Sequence, residues 1–190
     1  LSAAYHHISN GGSKEPNLGM NFPTVGIGAE YSIGRIKLVP REKGPASPNT
    51  FKYNAGLFFT TRKVSTDDDV RKPVLGFSGG FFKPFARMHG MGADIEASID
   101  WSLKERNKQS AEYIDHRILS ALVRHHFLFG RFDFSQALGY YLYKKYPTPS
   151  RIFQRYVLEY QIAKNIQIGF SLKAHLAVAE QMDIRASYLF

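Results

Sequence analysis

Residues 6–21 hold the side chains best suited to chemistry. They run His6-His7-Ile8-Ser9-Asn10-Gly11-Gly12, then Ser13-Lys14-Glu15, then Pro16-Asn17-Leu18-Gly19-Met20-Asn21. Alternate residues of a strand share a face, so an extended 1–9 puts His7 and Ser9 on the same side. An imidazole beside a hydroxyl is the minimum set for a base-activated nucleophile. A His and a Ser two apart also occur by chance in many strands, and spacing alone favours the bland interpretation.

The elements around these residues are strands. Leu1, Ala3, Tyr5, His7 and Ser9 form one face of the first. Residues 10–21, rich in Gly, Asn and Pro, form a loop. Residues 22–38 read as the second strand, with Val25, Ile27, Ala29, Tyr31 and Ile33 on one face and Thr24, Gly26, Gly28, Glu30 and Ser32 on the other. Asn21 has the parity of the apolar face.

Pro40, Gly44, Pro45 and Pro48 make 39–50 a long connection. Alternation resumes at Phe51, Tyr53, Ala55, Leu57 and Phe59, and breaks at the acidic run 67–69, a solvated loop. Residues 73–86 form an aromatic, Gly-rich strand with Pro84 near its end, where proline is tolerated. Met91, Ala93, Ile95, Ala97, Ile99, Trp101 and Leu103 then alternate with Gly92, Asp94, Glu96, Ser98, Asp100 and Ser102, which predicts one long strand with an apolar and a charged face. The carboxylates suit pairing with Lys and Arg of neighbouring strands better than catalysis or metal binding, because an unpaired buried charge is costly.

A polar loop is expected at 105–112, strands at 113–129 and from 132, and a tight turn at Gly130-Arg131. His125 and His126, as strand neighbours, point opposite ways and cannot readily share one ion. Tyr140 to Tyr146 suggest an aromatic belt at a membrane surface. After a Pro-containing loop at 144–151 come a strand at 152–163 and a turn at Lys164-Asn165. Ile166, Ile168, Phe170, Leu172, Ala174, Leu176 and Val178 read as one continuous apolar face, opposite Gln167, Ser171, Lys173 and His175. Met182, Ile184, Ala186, Tyr188 and Phe190 form the last.

About ten strands result, several longer than the ~5–6 residues usual in soluble sheets. They approach the ~9–11 residues that span a bilayer. The fold class expected is therefore all-β: an antiparallel transmembrane outer-membrane β-barrel, with an apolar band outside and a polar lumen. Residues 1–190 are read as one barrel, the C-terminal part of a longer protein, with further strands in 51–190. With Phe190 at the periplasm, the short connections at 87–89, 130 and 164–165 fall on that side. The longer ones at 64–72, 105–112 and 144–151 fall outside, as does the loop 10–21.

The 190 residues contain no Cys, which excludes disulfides and thiolate metal sites. No apolar run reaches the ~20 residues of a membrane helix. Mean hydropathy is −0.28, a value that polar lumen residues would also produce. The net charge of +9 suits anionic partners. The Lys and Arg residues are scattered over loops and alternate strand positions rather than gathered in one patch, which argues against nucleic acid.

The 6–21 stretch resembles the outer-membrane lipid A 3-O-deacylase (acyloxyacyl hydrolase-like) family, over about residues 1–38. The family carries His-x-Ser-Asn, a short Gly-containing loop, Asn-x-Gly, and an acid two positions on. Here these are His7, Ser9, Asn10, Asn17 and Gly19, and the acid position is Asn21. The resemblance implies His7 as general base, Ser9 as nucleophile, and Asn10, Asn17 and loop amides around the oxyanion. It implies no metal and no organic cofactor. An Asn can orient an imidazole but supplies no charge to stabilise an imidazolium. Glu15 and Glu30 are the nearest alternative acids.

Three functions follow from these observations. One is an outer-membrane serine esterase that removes an acyl chain from lipid A, its active end toward the outer leaflet. Another is a barrel impaired in catalysis that binds lipopolysaccharide or serves as a scaffold in an outer-membrane complex. The last is a transport channel. The implied partners are lipid A or lipopolysaccharide and outer-membrane lipids, with a second copy or another outer-membrane protein left open.

Overall fold

The computed structural model describes residues 1–8, 20–29, 31, 50–65, 69–109, 115–148, 150–176 and 178–190. They form ten strands and one helix. These are β1 (Ser2–Ile8), β2 (Met20–Gly26), β3 (Lys52–Lys63), β4 (Arg71–Ala86), β5 (His89–Asp100), α1 (Trp101–Gln109), β6 (Arg117–Phe129), β7 (Phe132–Lys144), β8 (Ile152–Gln161), β9 (Ile166–His175) and β10 (Val178–Leu189).

Eight of the strands close a barrel. Each of β3 to β10 pairs antiparallel with its neighbours in sequence, and β10 returns to β3, with Ile184 opposite Phe59 and Tyr188 opposite Ala55. Closure leaves no strand edge unpaired, the condition for backbone in lipid. β1 and β2 stand outside this ring as a two-stranded sheet. The sequence suggested that all ten strands share one barrel, whereas the closed ring takes eight.

The apolar residues face out and the charged ones in. Ile184 is 64% exposed, while Asp183 and Arg185 on either side are 3% and 6% exposed. The same inversion runs round the ring, with Leu57, Phe77, Ile95, Val123, Leu138, Ile168 and Phe170 outside. His125 and His126 divide as strand neighbours should. His126 is buried in the lumen, where its ring stacks on Phe82 at 4.2 Å. His125 faces His89 on the outside, with Nε2 3.2 Å from Nδ1 of His89.

An eight-stranded ring has an interior just wide enough for side chains. Glycines make room where the filling is aromatic. A Cβ on Gly76 would sit 2.1 Å from the Phe58 ring, and one on Gly139 would sit 2.3 Å from the Phe153 ring.

Five local expectations are corrected. The strand from 89 stops at Asp100 instead of running through Trp101 and Leu103, and most of the expected 105–112 loop is helix. Asp100 caps that helix: its Oδ1 accepts from the Ser102 N–H at 2.9 Å and the Leu103 N–H at 3.4 Å. A capping carboxylate satisfies N–H groups that have no partner within the helix. The expected run 166–178 is cut by a reversal at Leu176, a non-glycine residue at φ 53°. The second strand ends at Gly26, and 27–29 are not strand. β6 begins at Arg117, and 115–116 are not strand.

Ring connections sort by end. Those at 87–88, 130–131 and 162–165 lie at one end and are short; Gly130 takes φ 65° in the second. Those at 64–70, 101–116 and 145–151 lie at the other end and are long, accompanied by the reversal at Leu176. At this long-loop end Asp115 accepts from Arg117 and from the Tyr143 hydroxyl. The hydrogen-bonding Arg117 guanidinium holds the Asp115 carboxyl below the usual carboxylate range.

Candidate functional site

The β1–β2 ladder carries part of the expected constellation. Its register places His7 opposite Asn21, with His6 opposite Phe22 and Ile8 opposite Met20. Directly opposed positions on antiparallel strands are ~4.5–5.5 Å apart between Cα atoms. The acid position of the motif and the expected base are therefore neighbours across a ladder. Beside them His6 stacks on Phe22 at 5.1 Å, and its Nε2 lies 3.0 Å from Thr24 Oγ1. Ser9, Asn10, Asn17 and Gly19 lie outside the described residues, as do Glu15 and Glu30.

Within the ring the carboxylates are paired, as their alternation suggested. Arg124 Nε lies 2.8 Å from Asp94 Oδ2. Glu96 is bridged by Arg155 at 2.8 Å and Arg185 at 2.6 Å, and Asp183 by the same two arginines at 2.7 and 3.1 Å. Ser171 takes part, receiving from Arg155 and donating to Asp183. Both guanidinium groups also lie over the Phe58 ring, at 5.2 and 5.0 Å from its centre. Lower down, the Asp133 carboxylate is 2.9 Å from His126 Nδ1. These tight pairs, with Phe58, Phe82, Phe153 and Tyr141 between them, fill the bore.

A second cluster occupies the long-loop end, and it is looser. Glu180 stands among four cationic or titratable side chains: His175 Nδ1 at 3.3 Å, Arg62 Nη1 at 3.5 Å, Lys144 Nζ at 3.5 Å and Lys173 Nζ at 3.7 Å. The Tyr141 hydroxyl donates to Glu180 at 3.3 Å, and Lys144 and Lys173 both lie over the Tyr141 ring. Arg62 also reaches Asp100 at 2.9 Å. The cluster borders a cavity of about 570 Å³ that extends under α1, lined in part by Leu103, Arg106 and Thr148. The expected scatter of cations fails here.

Two bulges explain why strand parity could not reveal this cluster. In β7 the ladder with β6 jumps from Leu119–Tyr143 to Ser120–Tyr141, leaving Leu142 as the extra residue. In β10 the ladder with β9 jumps from Ala179 to Gln181, leaving Glu180 extra. An extra residue re-aims what surrounds it. Lys144 thus joins Tyr141 inside while Tyr143 turns outward, and Glu180 joins the lumen despite sharing the parity of lipid-facing Val178 and Met182.

Among the described residues no three His, Asp or Glu side chains converge as a metal site, and no helix is long and apolar enough to cross a membrane. Strands can cross instead. A closed antiparallel ring, apolar outside and charged inside, defines an outer-membrane β-barrel. The model of the acyloxyacyl hydrolase C-terminal domain matches residues 51–190, which are the residues of the ring, and the chain belongs to that family, the lipid A deacylase group. The resemblance seen at 1–38 and the match at 51–190 reach the same family from different residues. No curated protein matches the chain.

Proposed function

We propose that the protein is a serine esterase that removes an acyl chain from lipid A in the outer leaflet. Ser9 Oγ attacks the ester carbonyl as the His7 imidazole accepts its proton. Asn10, Asn17 and backbone amides near Gly19 hold the oxyanion. Collapse releases the sugar hydroxyl, protonated by His7, and leaves an acyl-Ser9 ester. Water, deprotonated by His7, hydrolyses that ester to a free fatty acid and restores Ser9. Asn21 orients the imidazole. The long-loop end faces outward, so that the loop 10–21 meets the substrate at the outer leaflet.

The observation that carries this proposal is the register that sets His7 opposite Asn21, the position where the family keeps its acid. The alternative, a lipopolysaccharide-binding or scaffold barrel, is favoured by the identity of that same residue, since Asn supplies no charge. Mass spectrometry of lipid A incubated with the folded protein and with Ser9→Ala separates them. Loss of one acyl chain with the parent alone is the expected result. Intact lipid A with both, from a folded barrel, supports the binding role instead.

A further inference from the structure

The mouth cluster has no part in the proposed ester chemistry, and its composition asks for a ligand. Arg62, Arg106 and Lys144 line the cavity together with His175 and one carboxylate, Glu180; Lys173 stands 3.7 Å from Glu180, and Asp100 pairs with Arg62. Three cationic side chains facing one carboxylate leave an excess of two positive charges before His175 is counted. A phosphate monoester carries about −1.5 to −2.

Geometry separates this cluster from the lumen network below it. There the arginine–carboxylate contacts lie mostly at 2.6–2.8 Å. Here every contact to Glu180 is 3.3 Å or longer, whereas charge-assisted bonds close to ~2.7–2.9 Å when they are satisfied. The cations surround one carboxylate at a distance and keep donors for another anion. Arg106 spends N–H groups on the carbonyls of Lys63 and Val64 and pairs with no carboxylate in the cluster.

The side chains of Lys144 and Lys173 are only 5% and 6% exposed, so their charges act with little solvent screening. Both bulges of the upper ring lie here, and each delivers one member of the cluster. Bulges are over-represented at barrel rims and beside active sites, where they re-aim side chains.

We infer that the cavity at the long-loop end is a phosphate-binding site, built from Lys144, Arg62 and Arg106 around Glu180, which Lys173 also faces. Glu180 holds the cations together and repels the incoming anion, which sets the affinity. The phosphate is either a small soluble one or the head group of a lipid. This proposal does not rest on the chemistry assigned to His7 and Ser9.

The test uses the folded full chain in detergent, titrated with inorganic phosphate and followed by calorimetry. Saturable binding that weakens with added salt is expected. Lys144→Gln should weaken it roughly ten-fold, and Glu180→Gln should strengthen it roughly ten-fold by removing the competing charge. Lys104→Gln, on the exposed side of α1, should leave it unchanged. Heat-modifiable migration verifies that each variant is folded. A parallel arm places the protein in phosphatidylcholine nanodiscs containing lipid A or lipid A stripped of its phosphates. Preference for the phosphorylated form, lost in Lys144→Gln, assigns the site to a lipid head group. Binding of inorganic phosphate without that preference assigns it to a soluble phosphate. Absence of both, or weaker binding in folded Glu180→Gln, overturns the proposal.

Discussion

His7 and Asn21 are paired across the β1–β2 ladder, two strands that stand apart from the closed ring. A carboxylate at position 21 would add to orientation the negative charge that stabilises an imidazolium. Asn21→Glu should therefore raise the rate of lipid A deacylation, on the order of 10²-fold. Mass spectrometry of the lipid product over time measures it. An unchanged rate would mean that another group already orients His7.

The ring satisfies its own strand edges, so it should not need the ladder. A chain of residues 51–190 should refold in detergent as a heat-modifiable barrel, with a circular dichroism spectrum dominated by β-structure. Failure to refold would show that residues outside the ring contribute to its stability.

Phe58 has nowhere to retreat. Gly76 borders it on one side, and the guanidinium groups of Arg155 and Arg185 lie over its ring. Gly76→Val should overpack the bore and cost about 1–3 kcal/mol. A lower urea midpoint in refolding from detergent would register the change.

Arg155 neutralises Glu96 and Asp183 together. Replacing it with Leu leaves two buried carboxylates sharing Arg185, and removing one partner of a buried pair costs about 3–5 kcal/mol. Equilibrium unfolding of Arg155→Leu should show this as a lower midpoint, a larger loss than any exposed Lys→Gln change produces.

A bore packed with ion pairs and aromatic rings should not conduct. The protein in planar bilayers should show no single-channel steps. Steady conductance would restore the channel interpretation and contradict the packing around Phe58, Tyr141 and Phe153.

Much of the ring was legible because strand alternation has a period of two and lipid rewards it on every stave. Asp94 and Glu96 fell on the polar parity and proved to be lumen residues. The misses have local causes. Trp101 and Leu103 continue the alternation of β5, yet the Asp100 carboxylate caps a helix there. Leu176 turns the chain without Gly or Pro to announce it. Leu142 and Glu180 are extra residues in their ladders, and strand parity fails where a ladder holds an extra residue. Ring closure depends on the pairing of β3 with β10, which are separated by more than a hundred residues, and periodicity carries no such information. Of the expected site, the ladder shows only the 7–21 pairing, since Ser9, Asn10, Asn17 and Gly19 lie outside the described residues.

Because every stave of the ring already has two neighbours, any strand that flanks β1 or β2 must come from beyond residues 51–190. Folding and the proposed chemistry are then under separate selection. A change at Asn21 leaves the ring's pairing untouched, and a change in the ring leaves the ladder's register untouched. Mutation can extinguish or restore the proposed esterase activity in a lineage while the barrel persists in the membrane, available for whatever its mouth binds.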